Sequence, residues 1–318
     1  MKDSADRCWT VIDDTLGTDD GQDAIDEAFL DSLSEPLSRT PTGFPVLDQY
    51  IGEGDGGLVD GSVVVLGGAP GVGKSTAASC IAESFIRNGG VALVYDYENG
   101  KRRFFQRLVC RLTEAGPRDI QRELQGRRLT SEQLDRWLRA KRDVLTWTRE
   151  DRLIYRGVSS EIRSLTPDQL ELGVAAVRSK IGDAPLLVVL DSLQKLPMNL
   201  EQRRAGIDGW LRALEPIAER HQTTMLLLSE LSYARTGGWS EESAFKESSG
   251  IAYTGHLAIM ALLDGDEKDA KVRLVVKYNR DGRNGEVPAR YERVFPHFGL
   301  AERPGPRKAS NPKSAKRS

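Results

Sequence analysis

Cysteine and histidine are scarce in this chain of 318 residues, three of each. Cys8, Cys80 and Cys110 are too few and too far apart for a disulfide framework or a zinc site, and His221, His256 and His297 are equally isolated, so no metal cluster is expected. Long apolar runs are missing too. No stretch approaches the roughly 20 residues that a membrane-crossing helix needs, and no membrane role is expected. The opening MKDSADRCW has neither the cationic nor the apolar region of a signal peptide, so the expected location is cytoplasmic. No internal repeat is visible. An apolar share of 39% against 29% charged residues fits a globular protein with one large or two small domains.

Charge is unevenly placed. Residues 1–35 carry eleven acidic and two basic side chains, whereas residues 303–318 carry six basic and none acidic. Both ends therefore read as solvated tails around a near-neutral body. The basic tail either touches nucleic acid electrostatically or merely solubilises. Inside the acidic segment Ile25, Ala28, Phe29 and Leu33 recur at helical spacing, a short amphipathic helix that must dock to be stable. Three segments follow: an acidic N-terminal segment over 1–41 with that helix, a globular body over 42–300, and a basic tail over 301–318.

Between the tails, continuous aliphatic strands alternate with helical stretches, which predicts an α/β fold with a mostly parallel sheet covered by helices on both faces and a β-rich C-terminal end. Strands are expected over 91–97, 152–156, 186–190, 223–229, 256–263, 272–278 and 289–294. Helices are expected over 76–87, 101–114, 131–148, 207–221 and from Thr166-Pro167 through Lys180.

The chemistry begins at VVVLGGAPGVGKST, residues 63–76. Gly68, Ala69, Pro70, Gly71, Val72, Gly73, Lys74, Ser75 and Thr76 form the full Gly-x-x-x-x-Gly-Lys-Ser/Thr phosphate loop between a buried strand and a helix. Glycines let successive N–H groups converge on one anion, and the helix N-terminus adds positive potential. Lys74 can reach the β- and γ-phosphates, and the Ser75 hydroxyl can bind Mg²⁺. ATP and Mg²⁺ are therefore the expected ligands. LLVVLD places Asp191 beyond four buried aliphatics, where its carboxylate can hold Mg²⁺ opposite Ser75. VYDYEN offers Glu98 as the base that orients the attacking water, with Asp96 as its competitor. Ser229 and Glu230 end LLLSEL, in position to sense the γ-phosphate. The long loop that follows, 232–250, carries Arg235 and Lys246, and loops of that length usually have a function. Lys277 and Arg280, in VVKYNRDG, are either surface charges or fingers reaching a nucleotide on the next subunit.

In this order the pieces resemble the RecA-like ATPase fold, and most closely the C-terminal motor domain of DnaB-type hexameric helicases, from about Thr42 to Phe298. TGFPVLD with the phosphate loop looks like the start of that domain, and RLIYRG, LTPDQL and LLVVLDSLQKLP are similar to its approach to the second acidic motif. The resemblance favours Glu98 over Asp96. FKESSGIAYTGHLAIM resembles the segment lining the central channel, which implicates Lys246, Glu247 and Ser249 in contact with single-stranded DNA, RNA remaining open. KYNRDG is similar to the Lys-x-Arg pair that acts in trans, with one extra residue between Lys277 and Arg280. Two differences stand out: Glu230 where the family usually has glutamine, and His256 where it often has an acidic residue. Residues 21–34 look like the linker helix that clasps a neighbouring protomer, packing in cis being the alternative. No stretch resembles a primase, so a loader or primase would act in trans. The implied activity is a DNA-stimulated ATPase and ring helicase, probed against a RecA-, RadA- or KaiC-like oligomeric ATPase that does not unwind DNA, and against a partner that binds ATP only to assemble.

Overall fold

The computed structural model describes residues 36–52, 56–116, 130–157, 163–230, 255–264, 271–292 and 298–300. The chain divides into two units, Met1–Ser38 and Arg39–Ser318, and all the secondary structure described lies in the second. The expected linker helix, the 232–250 loop with Arg235, Lys246, Glu247 and Ser249, and the basic tail fall outside the described residues.

In chain order the elements are β1 (Arg39–Thr40), α1 (Pro45–Ile51), β2 (Leu58–Val59), β3 (Val63–Gly68), α2 (Lys74–Arg87), β4 (Val91–Asp96), α3 (Lys101–Thr113), α4 (Ser131–Arg149) and β5 (Leu153–Gly157). After these come α5 (Pro167–Ile181), β6 (Leu186–Asp191), two short 3₁₀ turns, α6 (Arg203–Arg220), β7 (Thr224–Glu230), β8 (Leu257–Asp264), β9 (Lys271–Asn279), β10 (Gly285–Glu292) and β11 (Phe298–Leu300). Two helices start where their sequence dictates. Thr130 and Thr166 each accept from the backbone N–H three residues on, and Gln133 and Gln169 reach back to close reciprocal capping boxes.

Nine strands form one sheet in the order β11-β10-β9-β8-β3-β7-β6-β4-β5. From β8 to β5 every pairing is parallel, and β9, β10 and β11 add antiparallel strands. The sheet is thus mixed, with the expected parallel centre. Alternation along β3 shows how it is covered. Val64 and Leu66 face a core shared with α1, α2, α3 and α4, whereas Val63 and Val65 face a second core built with α5 and α6. Both faces are dry, which is why these strands are aliphatic throughout.

Besides the short strands β1, β2 and β11, three elements depart from expectation. The short helix α1 was not anticipated; its start is fixed by Asp48, whose Oδ1 accepts from the Thr42 N–H at 2.8 Å and the Thr42 hydroxyl at 2.6 Å. Helix α6 begins at Arg203 rather than Ile207, because a 3₁₀ turn capped by Asn199 leads straight into it. Strand β10 begins at Gly285 rather than Ala289, with an irregularity between Glu286 and Arg290 that accommodates Pro288. A proline lacks the ladder donor, so a strand containing one shows its start poorly in sequence.

The strand ends set up the site. Register aligns Gly68 with Glu230, and Asp96 with Asp191, at the C-terminal edge of the parallel strands. That edge is where open α/β sheets bind their ligands.

Candidate functional site

The phosphate loop leaves β3 and enters α2 through Gly73, whose φ of 104° lies in the left-handed region, as does the 76° of Gly71. At Gly68 the requirement is space. A Cβ there would sit 2.6 Å from Val72 Cγ1 and 2.9 Å from the Ala261 carbonyl oxygen. The loop borders a cleft of about 360 Å³ whose walls include Lys74, Ser75, Glu98, Asn99, Arg107, Asp191 and Glu230.

Lys74 Nζ donates back to the carbonyls of Gly68 at 2.8 Å and Ala69 at 3.1 Å. Burial lowers its pKa, and the surrounding carboxylates of Glu230, Asp191 and Glu98 oppose that fall. Such an ammonium is held near the loop mouth by acceptors that an anionic oxygen could replace. Ser75 Oγ donates to Asp191 Oδ2 at 2.7 Å. Asp191 is 6% exposed, and burial raises its pKa to about 6, with the Ser75 bond pulling the other way. A hydroxyl and a desolvated carboxylate in contact are the hard oxygen donors that Mg²⁺ takes, and the carboxylate lacks a full counter-charge. These residues fit the ion. Among the described residues no group of three or more His, Cys, Asp and Glu offers a different metal site.

The structure separates the two acids of VYDYEN. Asp96 is 1% exposed and fully engaged: Oδ1 accepts from the N–H groups of Glu98 at 3.0 Å and Asn99 at 2.7 Å, and Oδ2 from the Tyr155 hydroxyl at 2.9 Å. Asp96 therefore shapes the turn that carries Glu98. Glu98 itself is exposed and lines the cleft. At the end of β7, Glu230 lines the cleft as well, while Ser229 is buried and accepts from Gln194 Nε2 at 2.8 Å. Gln194 also accepts from the Glu230 N–H at 3.0 Å, so its amide is committed to that strand end.

Lys277 and Arg280 are not brought to this cleft. Strand β9 runs antiparallel to β8, with Asn279 opposite Leu257, and Leu257 pairs with Val64 near the start of β3. The Arg280 N–H donates to the His256 carbonyl at 3.0 Å, and the His256 N–H to the Val63 carbonyl at 2.8 Å. Lys277, at the irregularity opposite Ala258 and Ile259, stands level with Val65 and Leu66 in mid-sheet, whereas Arg280 lies at the N-terminal edge of the sheet. The phosphate loop lies at the other, one six-residue strand away, on the order of 17–20 Å. The Arg280 guanidinium is 3.9 Å from Glu215. His256 fills its unusual position by accepting from the Val63 N–H through Nδ1 at 3.2 Å. Burial, followed by the nearby Arg280, lowers its pKa.

Four contributors escaped the sequence reading. Asn99, Arg107, Tyr155 and Gln194 belong to no spaced motif. The adjacency of Asn99 to Glu98 is the one signal that could have drawn attention, and Arg107 is one of several arginines in KRRFFQRLVCR.

The family model for the DnaB-like helicase C-terminal domain matches residues 40–299, most of the chain. The chain belongs to that family. As a DnaB-like domain it shares its fold with a solved DnaB-like replicative helicase, described with its interactions with primase. That match has a TM-score of 0.72 at 20% identity and covers 86% of this chain and 68% of that one. A KaiC-like protein from Pyrococcus horikoshii has a TM-score of 0.52 at 19% identity, covering 81% and 95%. Closer identity appears over shorter spans. The DNA repair protein RadA of Pseudomonas aeruginosa is 48% identical over 56 residues, 18% of this chain and 12% of that protein. RadA of Campylobacter jejuni is 42% identical over 67 residues, 21% of this chain and 14% of that protein. The match thus spans about an eighth of the curated relatives' length. Fold, phosphate loop and family together make this a RecA-like P-loop ATPase domain of the DnaB family. Among the described residues no helix is long and apolar enough to cross a membrane.

Proposed function

We propose that the chain is an oligomeric, ATP-hydrolysing RecA-type protein of the RecA-, RadA- or KaiC-like kind, serving recombination or regulation without unwinding DNA, with each ATP cut at a seam between protomers. The observation that carries this reading is the placement of Arg280 at the sheet edge opposite the phosphate cleft, with Lys277 on the same strand. From that edge Arg280 is too far to serve its own protomer's nucleotide, and Lys277 is carried on the same strand. A head-to-tail neighbour would bring them to the next cleft, the geometry of a heterologous interface that closes into a ring or extends as a filament.

In this reading the residues divide the work simply. The loop N–H groups from Gly68 to Thr76 cradle the phosphates, and Lys74 leaves the Gly68 and Ala69 carbonyls for the β- and γ-phosphate oxygens. Ser75 and Asp191 would hold Mg²⁺, which would supply positive charge to offset that of the phosphates. Glu98, presented by the Asp96 turn, accepts a hydrogen bond from the attacking water and takes its proton. Lys277 and Arg280 of the neighbour stabilise charge on the transferred phosphoryl group, a contribution on the order of 10³- to 10⁵-fold where arginine fingers have been measured. Ser229 and Glu230 end the strand that leads into the segment carrying Arg235, Lys246, Glu247 and Ser249, which would touch the phosphate backbone of single-stranded DNA, RNA being a possible substitute.

The relatives named for DNA repair support a role in DNA repair for the first reading. A second reading, a DnaB-type helicase moving as a hexameric ring and meeting a loader or primase in trans, is favoured by the family match over 40–299. One experiment decides. The protein is mixed with ATP, Mg²⁺ and a forked duplex, and phosphate release and strand separation are followed together. DNA-stimulated hydrolysis with the fork intact supports the first reading, and strand separation the second. Hydrolysis indifferent to DNA, from a protein that stays monomeric by sedimentation, would sink both.

A further inference from the structure

Arg107 differs from the arginines around it on α3. Arg102 and Arg103 point into solvent, whereas Arg107 is partly buried and forms part of the phosphate cleft. One terminal nitrogen, Nη2, donates to Asn99 Oδ1 at 2.8 Å. Asn99 then donates through Nδ2 to Asp191 Oδ2 at 3.0 Å and to Ser75 Oγ at 3.3 Å. The other terminal nitrogen, Nη1, is buried without a hydrogen-bond partner among the described residues.

An unsatisfied guanidinium N–H is costly, because a charged donor removed from water forfeits its strongest bonds. Carboxylates are close by: Arg107 is near enough to Asp191 to act against the rise of its pKa. Yet among the described residues no carboxylate accepts from Nη1. The wall of the cleft thus includes a guanidinium with one arm given to Asn99 and the other without an acceptor among the described residues, beside the oxygens suited to Mg²⁺. A phosphate oxygen is the chemical complement of such a group, since guanidinium N–H groups match phosphate in charge and geometry. The rest of the cleft leaves the post open. The side chain of Glu230 has no N–H, and the Gln194 amide is already spent on Ser229 and the Glu230 backbone.

We propose that Arg107 contacts substrate in cis, donating through Nη1 to the terminal phosphate of bound ATP, and that Asn99 is the positioning residue that holds its other arm. This rests on the reading of the cleft as an ATP site. It gives the protomer its own means of telling ATP from ADP, separate from the cations supplied by a neighbour.

The test is equilibrium binding, by calorimetry, of ADP and of the non-hydrolysable β,γ-imido analogue of ATP, each with Mg²⁺ and with chelator. Wild type, Arg107→Ala, Arg107→Lys, Asn99→Ala and Lys74→Ala are compared after thermal melts show that each is folded. Arg107→Ala should weaken the ATP analogue about 10- to 100-fold, the range for a lost charged hydrogen bond, and change ADP affinity by less than about 3-fold. The selective loss should persist in chelator, because it does not depend on the metal. Arg107→Lys should recover part of it, and Asn99→Ala should show a smaller loss of the same selectivity. Equal weakening of both nucleotides in Arg107→Ala would make Arg107 a scaffold and overturn the proposal, as would no change in either. Lys74→Ala losing both nucleotides while wild type binds them keeps the cleft as the ATP site whatever Arg107 does. Wild type binding neither nucleotide would remove that reading and this proposal together.

Discussion

If the seam carries the chemistry, two dead variants should revive each other. Lys74→Ala disables the cleft of its own protomer but leaves Arg280 intact, and Arg280→Ala leaves the cleft intact but deprives the next protomer of its cation. The structure makes the division clean. Arg280 is tied through its backbone to His256 and thence to Val63 at one edge of the sheet, while Lys74 follows Gly68 at the other, on the order of 17–20 Å away. No side-chain rearrangement spans that gap within a protomer. Each variant alone should hydrolyse ATP at least about 10³-fold more slowly than wild type.

In a mixture, a seam works only when its cleft comes from Arg280→Ala and its cation from Lys74→Ala. Random assembly at equal amounts gives that arrangement at about one seam in four, for head-to-tail interfaces that work independently. Phosphate release should therefore reach about a quarter of the wild-type rate and fall away symmetrically as either variant dominates. The assay is steady-state phosphate release against mole fraction at constant total protein, after incubation long enough for protomers to exchange. A straight line between the two parents would refute the trans arrangement. So would an Arg280→Ala parent with the wild-type rate.

Three further outcomes follow from single side chains. Burial lifts Asp191 to about 6, so its ionised form opposes folding of the nucleotide-free protein at pH 8 by on the order of 3 kcal/mol. Its folded-state pKa lies above the unfolded one, so this loss of stability builds up as pH rises from 3.8 to about 6 and is complete above that, and Asp191→Asn should raise Tm at pH 8, with a gain that shrinks as pH falls below about 6, while abolishing Mg²⁺-dependent hydrolysis; an unchanged Tm at pH 8 would contradict the buried-charge argument. His256 has a lowered pKa and accepts from the Val63 N–H through Nδ1, so the unfolded chain takes up the proton first, and stability should hold above the ordinary histidine range and decline as pH falls through 6.5. His256→Gln should flatten that part of the melting-temperature profile, and an unaltered acid limb would rule His256 out as its source. Tyr155→Phe removes one of three hydrogen bonds to Asp96 and loosens the turn that presents Glu98; kcat should fall about 3- to 10-fold with KM little changed, the scale of one hydrogen bond, and a change confined to KM would argue that the turn serves binding instead.

What the sequence made legible was local. Five glycine-loop features stand within nine residues, and β3, β4, β6 and β7 are short aliphatic runs whose buried character needs no tertiary knowledge. The Asp191–Ser75 contact was also foreseeable, because a strand-end carboxylate beside a phosphate loop has few other places to go. Asn99, Arg107 and Gln194 were not, since each matters through a partner distant in sequence: Asn99 through Asp191, Arg107 through the cleft wall, Gln194 through Ser229. The family resemblance already favoured Glu98 over Asp96, but the physical reason appeared only once Tyr155, on β5, was seen to occupy Asp96.

The decisive case is Lys277 and Arg280. Their position at the end of a strand is plain in VVKYNRDG, but the chemistry depends on which edge of the sheet that end occupies. A parallel β9 would have delivered both cations to the phosphate edge, where a protomer could hydrolyse ATP alone. The connection between β8 and β9 is only the short 265–270 segment, too short for the crossover that parallel neighbours require, which takes a dozen or more residues. That brevity makes β9 antiparallel and sends Arg280 to the far edge. A six-residue link thereby sets the cation and the cleft of one protomer at opposite edges of the sheet, and if the proposed seam holds, hydrolysis becomes a property of the assembly.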